Sequence, residues 1–221
     1  MLELKLKPAI YLFIGKPESG KSHLIKSLVY DFQKAGYFKF IQAYVRTKFN
    51  HGYDYLPDEY VDDKYSDEKL LTHIEKLRAY RAKSGKECPP NAVILDDLLG
   101  SVDFYGDEMQ NWLCSYRHTN TSIFITAQYL MSKSTSTALR EMVSYAFLYN
   151  TKFKNSLKGY FESFGGLFDN YDEFRIYFQN ITKQRYHCMV YNANQEDKSL
   201  NYIDFVGPEH IKNFKLNYKI A

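Results

Sequence analysis

The sequence predicts an α/β protein, with a mostly parallel central sheet flanked by helices. Three observations predict it. Short apolar runs at 9–14, 92–95, 121–127 and 143–149 suit strands buried on both faces, and segments between them carry apolar residues at helical spacing. The first run ends in Gly15-Lys-Pro-Glu-Ser-Gly-Lys-Ser22 and leads directly into an amphipathic stretch. The second run ends in the acid pair Asp96-Asp97.

Each element follows from its local chemistry. AIYLFI at 9–14 is a continuous apolar run closed by Gly15, hence a buried strand. Leu24, Ile25, Leu28, Val29 and Phe32 mark one face of a helix that Gly36 ends. YFKFIQAYV at 37–45 reads as a second strand, and 46–65, with Gly, Pro and many charges, as an exposed loop. Ser66 caps a helix with an acidic first turn, whose buried stripe is Leu70, Ile74 and Leu77. Cys88-Pro-Pro-Asn breaks the chain before the third strand, AVIL. Met109, Trp112, Leu113 and Tyr116 place a helix on the core, and strands follow at 121–127 and 143–149. Helices are expected near 153–164 and 171–182, a strand at 186–191, and a docked tail or partner-binding arm at the end. No repeat or linker divides the chain. The expectation is one domain over 1–221, with a core of about 8–192 and a tail of about 207–221.

Composition narrows the function classes. The 45% hydrophobic fraction supports a sizeable core, and a formal charge of +3 neither demands nor excludes nucleic acid. The 21 Tyr and 16 Phe suggest either base-stacking surfaces or AT-rich coding, the second being the plainer account. Cys88, Cys114 and Cys188 form no CxxC pair, and the six His show no HxxxH spacing, which argues against a zinc site and for a reducing, intracellular setting. No apolar run approaches the ~18 residues of a membrane span. The N-terminal MLELKLKPAIYLFI lacks a cleavage site and reads as a strand.

The segment 15–22 satisfies GxxxxGK[ST], between a strand and a helix as that motif requires. Backbone N–H groups of Gly15, Lys16, Pro17-flanking Glu18, Ser19 and Gly20 can cradle phosphate oxygens, with His23 adjoining. Lys21 would reach the β- and γ-phosphates of ATP, and Ser22 would coordinate Mg2+. Asp96, ending an apolar strand, is the metal-side acid, and Asp97 could polarise the attacking water. Gln128 ends the strand TSIFITA. If that strand lies between those of Ile14 and Leu95, its amide faces the γ-phosphate and water. The plain alternatives are a solvated acidic turn and an exposed strand-end amide.

These motifs, with Arg117-His118 in "RHTNTSIFITAQYL" and the later Ala138-Leu139-Arg140, come in an order and spacing that resembles the FtsK–HerA superfamily. The chain looks most similar to the genome-packaging ATPases of large cytoplasmic DNA viruses, poxvirus-like, and of smaller relatives such as virophages. The resemblance covers about 8–192. It implies an additional-strand, RecA-like P-loop fold and a homo-oligomeric, hexameric ring that moves double-stranded DNA into a preformed capsid, with capsid proteins as partners. It also implies residence in the host cytoplasm, in virus factories, and in the virion. Lys21, Ser22, Asp96 and Gln128 carry over as phosphate, metal and sensor residues. Asp97 stands where many relatives have glutamate, one methylene longer. Arg140 matches an arginine that acts across a subunit boundary, and Arg117 competes for that role. The absence of an appended DNA-reading module and of long insertions favours a minimal packaging motor over a HerA-like helicase.

Other classes fit less well. Asp97-Leu-Leu-Gly100 matches the DxxG of GTPases, but no NKxD accompanies it. A small P-loop kinase needs an arginine-rich lid, and 129–141 offers only Arg140. A scaffold that merely binds ATP needs neither Asp97 nor Gln128. Lys152, Lys154 and Lys158 are candidate DNA contacts or simply a solvated helix face. Phe104 and Tyr105, just after the acid pair, either transmit hydrolysis or pack.

Overall fold

The apolar runs pair side by side in one sheet because leaving either face in water would expose whole rows of Ile, Leu, Val and aromatic residues. The computed structural model of the protein describes residues 5–48, 51–98, 101–130, 136–195, 201–208, 211 and 214–216. Its strands are β1 (Ile10–Ile14), β2 (Phe40–Val45), β3 (Val61–Asp62), β4 (Asn91–Asp96), β5 (Thr121–Ala127), β6 (Tyr145–Tyr149), β7 (Cys188–Asn192) and β8 (Tyr202–Phe205). Their order is β3-β2-β4-β5-β1-β6-β7-β8. The first six in that order run parallel, and β7 and β8 are antiparallel.

Helices cover both faces. On one face α1 (Lys21–Lys34) buries Leu24, Ile25, Leu28, Val29 and Phe32 against Tyr11, Phe13 and Phe124. The other face is covered by α2 (Asp67–Ser84), α3 (Asp107–Ser115), α4 (Thr137–Met142), α5 (Lys154–Phe164) and α6 (Tyr171–Thr182). The expected stripes are the ones buried: Leu70, Ile74 and Leu77 on α2, and Met109, Trp112 and Leu113 on α3. Ser66 Oγ accepts from Lys69 N–H, as its place before α2 demands.

Much of the aromatic content is structural. Tyr11 stacks between Phe124 and Tyr145 on neighbouring strands, with ring centroids 4.6 and 5.2 Å away, and Phe13 stacks on Phe147 at 4.5 Å. Such pairs add roughly 0.5–1.5 kcal/mol each beyond their area.

The structure corrects the reading of 46–65. That segment is not a simple exposed loop: Tyr53, Tyr55, Leu56 and Val61 are buried on the α1 side of the sheet, and β3 pairs with β2. The irregular spacing of these four residues hides them from any periodic reading. Phe214 and Leu216 dock there too. Phe214 meets Tyr30 and Tyr55 edge-on and stacked, and Leu216 N–H donates to the Tyr55 carbonyl at 2.7 Å. Strand β8, with its half-exposed YIDF, was also outside the sequence expectation. Gly100 of the DxxG match lies outside the described residues.

The placement that matters most is that of β5. It pairs with β1 on one side, Ile14 opposite Ala127, and with β4 on the other, Leu95 opposite Ile125. The carboxyl ends of β1, β4 and β5 therefore open side by side at one edge of the sheet, where ligands bind in open α/β sheets.

Candidate functional site

The loop 15–20 joins β1 to α1 and is fixed at its base by Gly15 N–H donating to Ala127 O at 3.0 Å. A side chain at Gly15 would strike Tyr149 Cβ at 2.6 Å and Ser19 Oγ at 2.7 Å, so only glycine fits. Glu18 (φ 60) and Gly20 (φ 104) are left-handed, which curls the loop. Lys21 Nζ donates to the carbonyls of Gly15 at 2.5 Å and Lys16 at 3.0 Å. An ammonium has three donors, so two hold it across the loop and one remains for a phosphate oxygen. Ser19 Oγ is buried with no hydrogen-bond partner among the described residues, an orphan that a ligand oxygen would satisfy. These features fit a nucleotide triphosphate.

The acids form a connected network. Ser22 Oγ donates to Asp96 Oδ2 at 3.4 Å, and Thr126 Oγ1 donates to Asp96 Oδ1 at 2.5 Å. The same Thr126 oxygen accepts from Asp97 N–H at 2.8 Å. Gln128 Nε2 donates to both carboxylate oxygens of Asp97, at 2.8 and 3.1 Å. Asp97 is left-handed at φ 54, which turns the chain so that the two neighbouring acids diverge. Ser22 and Asp96 together offer hard oxygen donors of the kind Mg2+ prefers, so the residues fit that ion as well.

Burial tunes the charges. Desolvation raises the Asp96 carboxyl above 3.8, opposed by the Thr126 and Tyr53 hydroxyls and by Lys21. Desolvation lowers Lys21 from 10.5, opposed by Asp96 and Asp97. The buried Tyr53 phenol faces Asp96 and Ser22, although its oxygen lacks a hydrogen bond of ordinary geometry. Burial, then the Asp96 charge, push its pKa far up, so it stays protonated as a potential donor.

The fold thus brings together Lys21, Ser22, Asp96, Asp97 and Gln128, which the sequence singles out, and adds Thr126 and Tyr53, which it does not. Thr126 carried a legible signal: a polar residue inside the apolar run, two positions before Gln128 and so on the same strand face. Tyr53 carried none. His23 sits on the first turn of α1, with Nε2 3.0 Å from Pro208 O.

Other candidates lie apart. Arg140 is on α4, its Nη2 donating to Thr137 Oγ1 at 3.0 Å, and it lines a cavity of about 720 Å³ between α4 and α5 with Glu141, Lys158 and Glu162. Among the described residues it makes no ion pair. Arg117 lies in the short 3-10 turn Tyr116–Thr119 that leads into β5, at the strand-start end, away from the phosphate loop. Its Nε donates to the Tyr116 hydroxyl at 3.0 Å rather than forming a helix-end salt bridge. Lys152, Lys154 and Lys158 are exposed beside an exposed Phe153. Phe104 is buried and Tyr105 is 53% exposed, so the first packs and the second remains available.

Comparison with known proteins agrees with this architecture. The family model described as Poxvirus A32 protein matches residues 3–156. Uncharacterized protein 088R of Invertebrate iridescent virus 3 is 24% identical over 183 residues, 81% of this chain and 68% of that protein. The structure of the genome packaging NTPase B204 from Sulfolobus turreted icosahedral virus 2 in complex with AMPPCP is similar with a TM-score of 0.65. The identity is 16%, and 93% of this chain and 100% of that one are covered. The cytoplasmic domain of the Type VII secretion ATPase EccC from Thermomonospora curvata gives a TM-score of 0.63 at 15% identity, over 93% of this chain and 27% of that one. At such identities the structural likeness is one of fold: a mostly parallel, RecA-like P-loop NTPase sheet with an added strand.

Proposed function

The chain belongs to the poxvirus A32 protein family, and from that membership and the geometry at the strand ends we propose that it is an ATP-hydrolysing motor that packages viral double-stranded DNA into a preformed capsid. One observation carries the enzymatic half: β1, β4 and β5 lie side by side, so that Ser22, Asp96, Thr126, Asp97 and Gln128 join in one hydrogen-bonded network, with the Lys21 ammonium close enough to feel the charge of both acids. The likeness in fold to B204, a genome packaging NTPase, supports the other half. On this reading the chain is a single P-loop ATPase unit, akin to the packaging ATPases of large cytoplasmic DNA viruses and their smaller relatives. It assembles as a ring, most simply a hexamer, in the infected cell's cytoplasm and on the virion.

The loop amides and Lys21 would bind the triphosphate, and Ser22 and Asp96 would hold Mg2+, whose charge would offset that of the phosphate oxygens. Asp97 accepts a proton from water as the water oxygen bonds to the γ-phosphorus and the bond to ADP breaks, releasing phosphate. The Gln128 amide is engaged with Asp97 in this structure. A γ-phosphate oxygen that draws the amide away frees the carboxylate to act as base, which couples sensing to chemistry. Arg140 acts on the neighbouring subunit's γ-phosphate. The exposed Lys152, Lys154 and Lys158 follow β6 at the same sheet edge and grip DNA phosphates.

Among the described residues no helix is long and apolar enough to cross a membrane. The deciding measurement is ATP turnover with and without double-stranded DNA. DNA-stimulated turnover is expected. No turnover would support the scaffold reading, and stimulation by a small-molecule phosphate acceptor instead of DNA would support a kinase.

A further inference from the structure

Five non-glycine residues among those described adopt left-handed backbone: Glu18, His51, Asp97, Asn120 and Tyr186. Glu18 lies in the phosphate loop and Asp97 at the end of β4. Tyr186 (φ 69) precedes β7, on the turn after α6. A bulky residue in this conformation is uncommon, and such strain persists where surrounding structure imposes it and clusters at ligand sites. Here it holds the Tyr186 ring against the loop: a Cβ on Gly20 would meet ring carbon Cδ1 at 3.2 Å. Burial does not explain the strain, because Tyr186 remains 46% exposed.

Topology puts this ring where a nucleotide bound on the loop projects outward. Strand β7 is antiparallel to β6, so its first residues lie at the phosphate-loop edge, and β8 returns its last residues to that edge. The segment after β8 then lies on the first turn of α1, with Gly207 against His23 and Pro208 O 3.0 Å from His23 Nε2. His187 Nδ1, one residue after Tyr186, pairs with Asp204 of β8 at 3.0 Å and ties the two segments together. The Arg185 guanidinium stands over the Tyr186 ring at 4.7 Å, which backs the aromatic with a cation.

We propose that Tyr186, backed by Arg185, is the platform on which the nucleobase of the bound nucleotide stacks, preferring the larger purine face. The proposal rests on the nucleotide-site reading and assigns the base-binding element of that site. Phosphates on the loop amides direct ribose and base out past Gly20, and the exposed phenol ring beside Gly20 meets them with a π-face that water serves poorly.

The test is equilibrium binding to the full chain of two probes: a non-hydrolysable ATP analogue, which has a base, and inorganic tripolyphosphate, which has none. Tyr186→Gly keeps the left-handed turn accessible and deletes only the ring. It should weaken the ATP analogue about 5- to 150-fold, the range of base–aromatic stacking by alanine substitution, and leave tripolyphosphate unchanged. Tyr186→Phe should bind like the parent, because the ring and not the hydroxyl is used. Tyr186→Trp should show its fluorescence change with the analogue and not with tripolyphosphate. Unchanged analogue binding in Tyr186→Gly overturns the proposal while the nucleotide site stands. Equal loss of both probes also overturns it, making Tyr186 a support for the loop. If the parent chain binds neither probe, the nucleotide-site reading fails and the platform with it.

Discussion

Replacing Thr126 by valine removes one hydroxyl and keeps the shape of a residue that is 2% exposed. That hydroxyl donates to the Asp96 carboxylate at 2.5 Å and accepts from Asp97 N–H at 2.8 Å. A hydrogen bond to a charged group contributes about 1.5–3 kcal/mol, and the part-buried Asp97 N–H left unpaired costs up to about 1–3 kcal/mol. Partial relaxation lowers the total, so Thr126→Val should destabilise the fold by about 2–5 kcal/mol at neutral pH, or roughly 1 M or more in urea midpoint. The pH dependence has a definite sign. Burial holds the folded Asp96 carboxyl above its ordinary 3.8, so the native state binds its proton better than the unfolded chain. Stability from this group is full below 3.8 and is lost as pH rises through the raised folded value. Losing the Thr126 donor raises that value further, so the deficit of the variant grows from mild acid to neutral pH. Urea unfolding of the parent, Thr126→Val and Thr126→Ser at both conditions measures it, with Thr126→Ser keeping the donor and most of the stability. A Thr126→Val midpoint equal to the parent's at neutral pH, or a deficit no smaller in acid, would refute the reasoning.

Lys21→Ala should abolish hydrolysis and weaken ATP binding, because it removes the ammonium held across the loop mouth; unchanged turnover would end the ATPase reading. Asp97→Ala and Gln128→Ala should each cost turnover by ~10²-fold or more with little effect on ATP affinity, as expected of groups that act in the transition state. Steady-state turnover set beside equilibrium binding separates the two effects. Mixtures of Lys21→Ala and Arg140→Ala subunits should recover activity that neither shows alone, since each supplies the half-site the other lacks. No recovery in rings shown to be mixed would make Arg140 structural. DNA affinity should be independent of sequence and fall steeply with salt, as counterion release dictates. Titrations of two unrelated duplexes at several salt concentrations check this.

The sequence by itself determined the elements whose side chains obey a local period and the motif whose residues are covalent neighbours. The stripe of α1, the five-residue run of β1, the Ser66 cap and the phosphate loop are each contained within about one helix or strand, where burial and hydrogen bonding repeat with the backbone. Helix α6 at Tyr171–Thr182 coincides with its expected limits for the same reason. Asp96, Asp97 and Gln128 were legible as acids and an amide at the ends of apolar runs. Their meeting was conditional on strand order, which no local pattern encodes: the β4-β5-β1 order brings residues about thirty positions apart into contact. Tertiary structure alone decided the rest. Tyr53 reaches Asp96 because an aperiodic polar segment folds over the sheet, and Tyr186 reaches Gly20 because β7 begins at the phosphate-loop edge. Such contacts depend on where two distant backbones cross, and the chemistry of either residue alone carries no record of the crossing.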